Sequence, residues 1–284
     1  MKKRLLICTM LLSLLFTSAY AEQAPDSEEL SLLAINVRKA DALLLRCGQS
    51  AYLIDTGIKS GADTMLEVLR SEGITSLSGV ILTNTHADHT GGLKALLESE
   101  ITVGKIYAPA FYVLKKEDGK HPIIKALKKS DYTEEDIVWL SAGDTLPLDG
   151  GKLTVIGPLV KNEEVENCNS LVLLAEGGGG SILLTGDMEF PEEESLLNAG
   201  LIPHADVIKI GNHGENDATS HALIAAVLPS YAVISTNSDD EPDTPSPRVL
   251  RLLDTWNVKV LLTQNTEKGV LITLRNGEII PEMK

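Results

Sequence analysis

The chain has 284 residues, 43% hydrophobic and 23% charged, with aromatics at only 4%. This composition excludes a disordered chain and calls for a core of Leu, Ile, Val and Ala. The formal net charge of −15 weighs against tight, non-specific binding of duplex DNA, although a bound cation can reverse such a field locally.

The first residues read as a separate object. Lys2, Lys3 and Arg4 precede an uncharged apolar run from Leu5 to Phe16, and Ala19-Tyr20-Ala21 places small residues at both recognition positions of a signal peptidase. Residues 1–21 thus have the three-part pattern of a cleaved secretory signal, with an apolar run too short to span a bilayer comfortably. Cys8 lies too early in that run to be a lipid-attachment cysteine. Cleavage would leave an extracytoplasmic protein with no membrane span. Its charge would be −18, from 22 basic and 40 acidic side chains. Residues 22–30 are polar and acidic and are expected to be flexible, and 31–284 read as one domain.

Short β-like runs follow at Leu32–Val37, Ala42–Arg46 and Ala51–Ile54, the last closed by Asp55-Thr56-Gly57. A helix is expected over Ala62–Ser71, with Met65, Val68 and Leu69 on one face, then a strand at Gly79–Thr83 and a helix at Leu93–Glu98. The stretch 108–150 reads as irregular, and its lysines, among them Lys115, Lys116, Lys120, Lys125, Lys128 and Lys129, read as a solvated face. Strands return at Lys152–Ile156, Ser170–Ala175 and Ser181–Thr185. Alternation then gives strands at Asp206–Ile210, Tyr231–Ser235, Lys259–Thr263 and Val270–Leu274, with helices at Ser220–Val227 and Pro247–Asp254. Two mixed sheets with helices outside would bury this pattern.

Three segments share one layout. The strand Val80–Thr83 runs into Asn84-Thr85-His86-Ala87-Asp88-His89-Thr90-Gly91-Gly92, Ile182–Thr185 into Gly186-Asp187, and Val207–Ile210 into Gly211-Asn212-His213-Gly214. Each puts metal-capable side chains just past the carboxyl end of a buried strand, the edge where ligand sites collect in α/β sheets. Imidazole and carboxylate suit Zn²⁺ and similar cations, and a buried acid such as Asp187 needs a partner or a metal. The adjacent glycines let backbone approach the first loop closely. The acidic loop Asp239, Asp240, Glu241, Asp243 reads as solvated, with gating of the site as its alternative, and Lys209 reads as a solvent-facing strand lysine. Cys47 reads as a small core residue, and whether it pairs with Cys168 is open.

These motifs resemble the metallo-β-lactamase superfamily. Thr83–Gly92 resembles its His-x-His-x-Asp-His motif, and Asp55-Thr56-Gly57 resembles its earlier structural aspartate. The likeness is strongest to the hydrolase domain of bacterial competence DNA-uptake channel proteins and their free-standing secreted relatives, carried also by Ile35–Gly57, Asn169–Leu173, Leu183–Asp187, Ile208–Ser220 and Pro245–Leu253. The resemblance implies a four-layer αββα sandwich in the α/β (α+β) class. It also implies one or two divalent metals, Zn or Mn, and hydrolysis by metal-bound hydroxide of a phosphodiester or other small-molecule substrate.

The implied ligands are His86, Asp88, His89, Asp187 and His213, with Asn84 through its amide oxygen. Asp88 and His86 are the implied catalytic residues, and Asp55, Cys168, Asn169 and Asn212 stand as neighbours of the site. The chain departs from the pattern at Asn84, Asn212 and Thr244, where the family carries histidine, and no histidine stands near 167–169. One firmly held metal, with the second weak or absent, is therefore the expectation. Oxygen-rich ligation shifts preference toward Mn²⁺ or Mg²⁺. The alternatives are a catalytically impaired binding or regulatory module on the same fold, and hydrolysis of a lactam, thioester or lactone. Oligomeric state is left open.

Overall fold

Successive side chains of a strand point to opposite faces, and the first strand shows what this chain does with both. Leu33 and Ile35 enter a cluster with the helix residues Met65, Leu69, Leu93 and Leu96. Leu32 and Ala34 enter another with Leu153, Leu173, Ile182 and Val207 of the facing sheet. The strand is buried along its whole length, as expected of a sheet covered on both sides.

The computed structural model describes residues 29–112, 121–128 and 130–284. The expected signal segment, most of the flexible segment, and Lys115, Lys116, Lys120 and Lys129 lie outside the described residues. Among the described residues, no helix is long and apolar enough to cross a membrane.

In chain order the first half comprises β1 (Leu30–Ile35), β2 (Leu43–Cys47), β3 (Ser50–Ile54), α1 (Ala62–Ser71), β4 (Ser76–Leu77), β5 (Gly79–Ile81), α2 (Ala87–Thr90), α3 (Leu93–Leu97), β6 (Thr102–Val103), β7 (Ile106–Pro109), α4 (Pro122–Leu127) and β8 (Ile137–Leu140). The second half comprises β9 (Thr145–Leu148), β10 (Gly151–Gly157), β11 (Val172–Gly177), β12 (Gly180–Leu184), α5 (Phe190–Asn198), β13 (Val207–Lys209), α6 (His221–Val227), β14 (Tyr231–Ile234), α7 (Pro247–Thr255), β15 (Lys259–Leu262), β16 (Gly269–Arg275) and β17 (Glu278–Met283). One sheet runs β17-β16-β1-β2-β3-β5-β7-β8 and the other β15-β14-β13-β12-β11-β10-β9, with β4 and β6 as a separate pair. One core lies between the first sheet and α1, α3 and α4, one between the sheets, and one between the second sheet and α5, α6 and α7. This is the expected αββα sandwich.

In both sheets the pairing turns parallel where the site is built, from β3 through β5, β7 and β8, and from β12 through β13, β14 and β15. Parallel pairing with Ile54 opposite Ile81 and Leu184 opposite Lys209 brings the loops after β3, β5, β12 and β13 to shared sheet edges.

The structure corrects several sequence expectations. The stretch read as irregular contains the end of β7 together with α4, β8 and β9. Leu30, assigned to the flexible segment, is a fully buried residue of β1. The helix α5 and the edge strand β17 were not expected. The α1 bounds match the expectation residue for residue.

Candidate metal centre

The site begins with an acid in an unusual backbone conformation. Asp55 follows β3 with φ of 58°, a left-handed region that Asp tolerates better than most residues. That turn aims its fully buried carboxylate at the loop after β5. Its Oδ1 accepts from the Thr83 amide at 2.7 Å, and its Oδ2 accepts from Thr83 Oγ1 at 2.6 Å and from His89 Nδ1 at 2.7 Å. Burial pushes the Asp55 carboxyl up, against the opposing pull of His89 and Thr83. A histidine that donates from Nδ1 has its lone pair on Nε2, the arrangement in which a carboxylate orients a metal-ligating imidazole.

Close backbone packing holds the His89 loop. Its carbonyl accepts from the Thr56 amide at 2.7 Å and from Thr56 Oγ1 at 2.9 Å. A Cβ on Gly92 would lie 2.2 Å from the Thr56 carbonyl oxygen, and one on Gly91 would lie 2.4 Å from that of Ala87. The two glycines are therefore what permits this contact.

His213 is set by the opposite sheet in the same manner. After β13 the chain makes a tight turn in which Asn212 and His213 have φ of 45° and 53°. His213 Nδ1 donates to the Ser235 carbonyl, just past β14, at 2.9 Å, which again leaves Nε2 as the free nitrogen.

The two imidazoles and Asp187 converge. His89 Nε2 lies 2.7 Å from Asp187 Oδ2, and His213 Nε2 lies 3.6 Å from Asp187 Oδ1. A fourth group, Asp41 in the loop after β1, completes a set whose ligand atoms all lie within 4.8 Å of one another. Asp41 Oδ1, His89 Nε2, Asp187 Oδ1 and His213 Nε2 are all buried without a hydrogen-bond partner. The short His89–Asp187 contact is thus not aligned as a hydrogen bond. His89 Nε2 and the other carboxylate oxygen, Asp187 Oδ1, both remain unpartnered in the same buried group. Orphaned buried polar atoms are costly, and four facing one another form a donor set of two imidazoles and two carboxylates that fits a divalent cation.

Asp41 was missed in the sequence. It precedes β2, whose LLLRC run includes Arg46, and so lacks the strand-end position that singled out Asp187. Its Oδ2 accepts from Lys209 Nζ at 2.9 Å, and Lys209 also donates to the Ile210 carbonyl at 3.0 Å. Lys209 is fully buried, which corrects its reading as solvent-facing. Burial pushes the Asp41 and Asp187 carboxyls up, but neighbouring Lys209, His89 and His213 outweigh it and hold both low. Among the described residues Lys209 is the fixed cation paired with these buried acids, so with neutral imidazoles Asp41, Asp55 and Asp187 leave the pocket a net negative charge for a metal to neutralise.

Asp88 occupies the rim. Its Oδ2 lies 3.3 Å from His213 Nε2 and 4.0 Å from His89 Nε2, and its side chain is 31% exposed against 3% for Asp187. It therefore touches the buried set from the solvent side.

The Metallo-beta-lactamase superfamily model matches residues 35–238, which carry all of these groups. The chain belongs to the metallo-β-lactamase superfamily. It is 30% identical over 203 residues to ComE operon protein 3 of Bacillus subtilis (strain 168), covering 72% of this chain and 25% of that protein. It is 28% identical over 249 residues to Competence protein ComA of Neisseria gonorrhoeae, covering 86% of this chain and 32% of that protein. The chain therefore spans about a quarter to a third of the length of these curated relatives. Among solved structures, the metallo-beta-lactamase fold protein YhfI from Bacillus subtilis shares the fold with a TM-score of 0.57 at 14% identity, covering 87% of this chain and 99% of that one.

Against the superfamily pattern, the substituted positions have taken structural work. The Asn84 amide oxygen accepts from the His86 amide at 2.9 Å, while its nitrogen donates to Asp187 Oδ2 at 3.0 Å and to Ser170 Oγ at 3.1 Å. In this arrangement the amide oxygen expected as a ligand is engaged by the His86 backbone, and the amide nitrogen faces Asp187. His86 is also outside the converging set. Its Nε2 lies 3.4 Å from Glu166 Oε2, and Tyr112 Oη donates to the Glu166 carbonyl at 3.3 Å, two rim neighbours the sequence did not single out.

Asn212 turns away from the cluster, donating to Asp217 Oδ1 at 3.1 Å. Asn169 braces the loop at Asn162, accepting from its amide at 2.8 Å and donating to its carbonyl at 2.9 Å. Cys168 is a free, buried thiol beside the backbone of Glu189 and Glu192, and burial pushes it up. It lies outside the convergent group and is not bonded to Cys47, which packs between the sheets.

Proposed function

We propose that this chain is an exported, single-metal hydrolase acting on phosphodiester substrates. The observation that carries the reading is the group of four buried, unpartnered ligand atoms on Asp41, His89, Asp187 and His213. Two imidazoles with carboxylates suit Zn²⁺ or Mn²⁺, and the diverted Asn84 and His86 argue for one ion.

A divalent ion bound there supplies Lewis acidity and lowers the pKa of water. The protein's own groups do the rest. Asp55 and the Ser235 carbonyl fix the tautomers of His89 and His213. Lys209 neutralises one oxygen of Asp41 and leaves the other facing the site. Asp88, on the exposed rim, accepts a proton at its carboxylate from the attacking water. His86, at the same mouth, is placed to meet the substrate. The phosphodiester assignment and the export reading rest on the resemblance to competence-type proteins and on the leader pattern of residues 1–21.

The test is metal quantification on the purified mature chain, together with a panel of bis(4-nitrophenyl) phosphate, nitrocefin and a thioester. Wild type should turn over the diester and Asp187→Ala should not. Preferential hydrolysis of nitrocefin or the thioester would redirect the substrate class. The Asn84 contact to Asp187 also favours a second reading, a binding or regulatory module that has lost turnover. Full metal content with no turnover of any substrate in the panel would select it.

A further inference from the structure

Beside Asp88 a cavity of about 540 Å³ opens to solvent, walled by Arg38, Lys39, Ile58, Asp240 and Glu241. Arg38 and Lys39 belong to the loop that also carries Asp41, between β1 and β2. Arg38 has φ of 73°, a left-handed conformation that is costly for a long side chain and that puts its guanidinium at the cavity mouth. There it pairs with both carboxylate oxygens of Asp240, one contact being 2.8 Å from Nε to Oδ2. Lys39 Nζ bridges Glu215 Oε1 at 2.5 Å and Glu241 Oε2 at 2.8 Å. Among the described residues, the cations lining this cavity are thus held by carboxylates from the loops after β13 and β14, immediately beside the rim residue Asp88.

Asp240 and Glu241 are partly to largely open to water, with side-chain exposures of 27% and 56%, and exposed ion pairs of this kind contribute little to stability. A substrate oxyanion can therefore replace Asp240 on Arg38 or Glu241 on Lys39 at small cost, while Glu215 stays on the largely buried Lys39. By contrast, the guanidinium's two-donor face, here spent on Asp240, also matches a phosphate.

Building on the hydrolase reading above, we infer that Arg38 and Lys39 recognise the phosphate oxyanion of the substrate. Asp240 and Glu241 occupy them as built-in competitors in the free protein. The acidic loop then sets specificity: a substrate gains entry only if its anionic group binds the two cations better than the loop does. In a protein of net charge −15, this places a local anion-binding pair at the one rim where a phosphodiester needs it.

Two measurements on the full mature chain test this. The first is calorimetric binding of inorganic phosphate to wild type, to the Arg38→Gln/Lys39→Gln variant and to the Asp240→Asn/Glu241→Gln variant. Removing the loop carboxylates should tighten phosphate binding by about tenfold, and removing the cations should weaken it by a similar factor. The second is KM for bis(4-nitrophenyl) phosphate against the uncharged 4-nitrophenyl acetate. Asp240→Asn/Glu241→Gln should lower KM for the diester and not for the acetate. Unchanged phosphate affinity in both variants, or equal KM shifts for charged and neutral esters, would overturn the assignment. The phosphate titration needs no turnover, so it stays readable even if the hydrolase reading fails.

Discussion

Replacing Lys209 by Met should destabilise the metal-free protein severely and the metal-loaded protein less. Lys209 and Asp41 are both buried, with Nζ 2.9 Å from Oδ2. Methionine fills the volume but leaves the Asp41 carboxylate without its cation. Breaking such a pair on one side costs about 3–5 kcal/mol, or a fall of roughly 6–20 °C in melting temperature at ~2–4 °C per kcal/mol for a domain of this size. A divalent ion beside Asp41 Oδ1 supplies replacement positive charge, so added metal should recover part of the loss. The double variant Lys209→Met/Asp41→Asn should recover most of it without metal, because both charges are gone. Calorimetric melts of wild type, Lys209→Met and the double variant, with chelator and with Zn²⁺ or Mn²⁺, provide the comparison. A loss under about 1 kcal/mol, the scale of an exposed pair, or a loss identical with and without metal, would refute the placement of this pair beside the metal centre.

The remaining predictions follow the same contacts. Asp55→Asn removes the acceptor that orients His89 and should weaken metal affinity about 10–100-fold in a chelator competition, with secondary structure intact by circular dichroism. Gly92→Ala sets a Cβ against the Thr56 carbonyl at 2.2 Å and should cost several kcal/mol or abolish soluble expression, whereas Gly73→Ala, with nothing within 4 Å, should cost only the strain of its positive φ. Burial opposes protonation of His89, but Asp187 and Asp55 outweigh it and raise its pKa well above the ordinary value. In the metal-free protein that stabilisation is complete below the unfolded value of about 6.5 and is lost as pH rises through the folded value. Metal must displace the same proton, so affinity should rise with pH across the same window. Denaturant melts of chelated protein and chelator competition from pH 6 to 9 should therefore show slopes of opposite sign.

The sequence made the strand-end ligands legible because an acid or histidine directly after an apolar run has few bland explanations once three such runs recur. It named His89, Asp187 and His213, which the structure brings together with Asp41, and Asp88, which lies beside them. It missed Asp41 and Lys209 because their pairing spans 168 residues and neither residue carries a local sign of its partner. The contacts of Asn84 with the His86 amide and Ser170 were not legible either, because they exist only once the loop has folded. In the fold, α1 was readable from its apolar face. By contrast, α5 was hidden by its acidic start, where Glu192 and Glu193 are buried to accept from the backbone amides of Leu159 and of Thr219 and Ser220. The four-residue strands β8 and β9 and the largely exposed edge strand β17 were too short or too exposed to show a period.

The most direct test of the account is elemental analysis of the mature protein after equilibration with Zn²⁺ or Mn²⁺ and gel filtration. Wild type should retain about one ion per chain, and Asp187→Ala and His213→Ala should retain almost none while remaining folded. A folded wild type that holds no stoichiometric metal, or variants that hold as much as wild type, would contradict the convergence of Asp41, His89, Asp187 and His213 on a single cation.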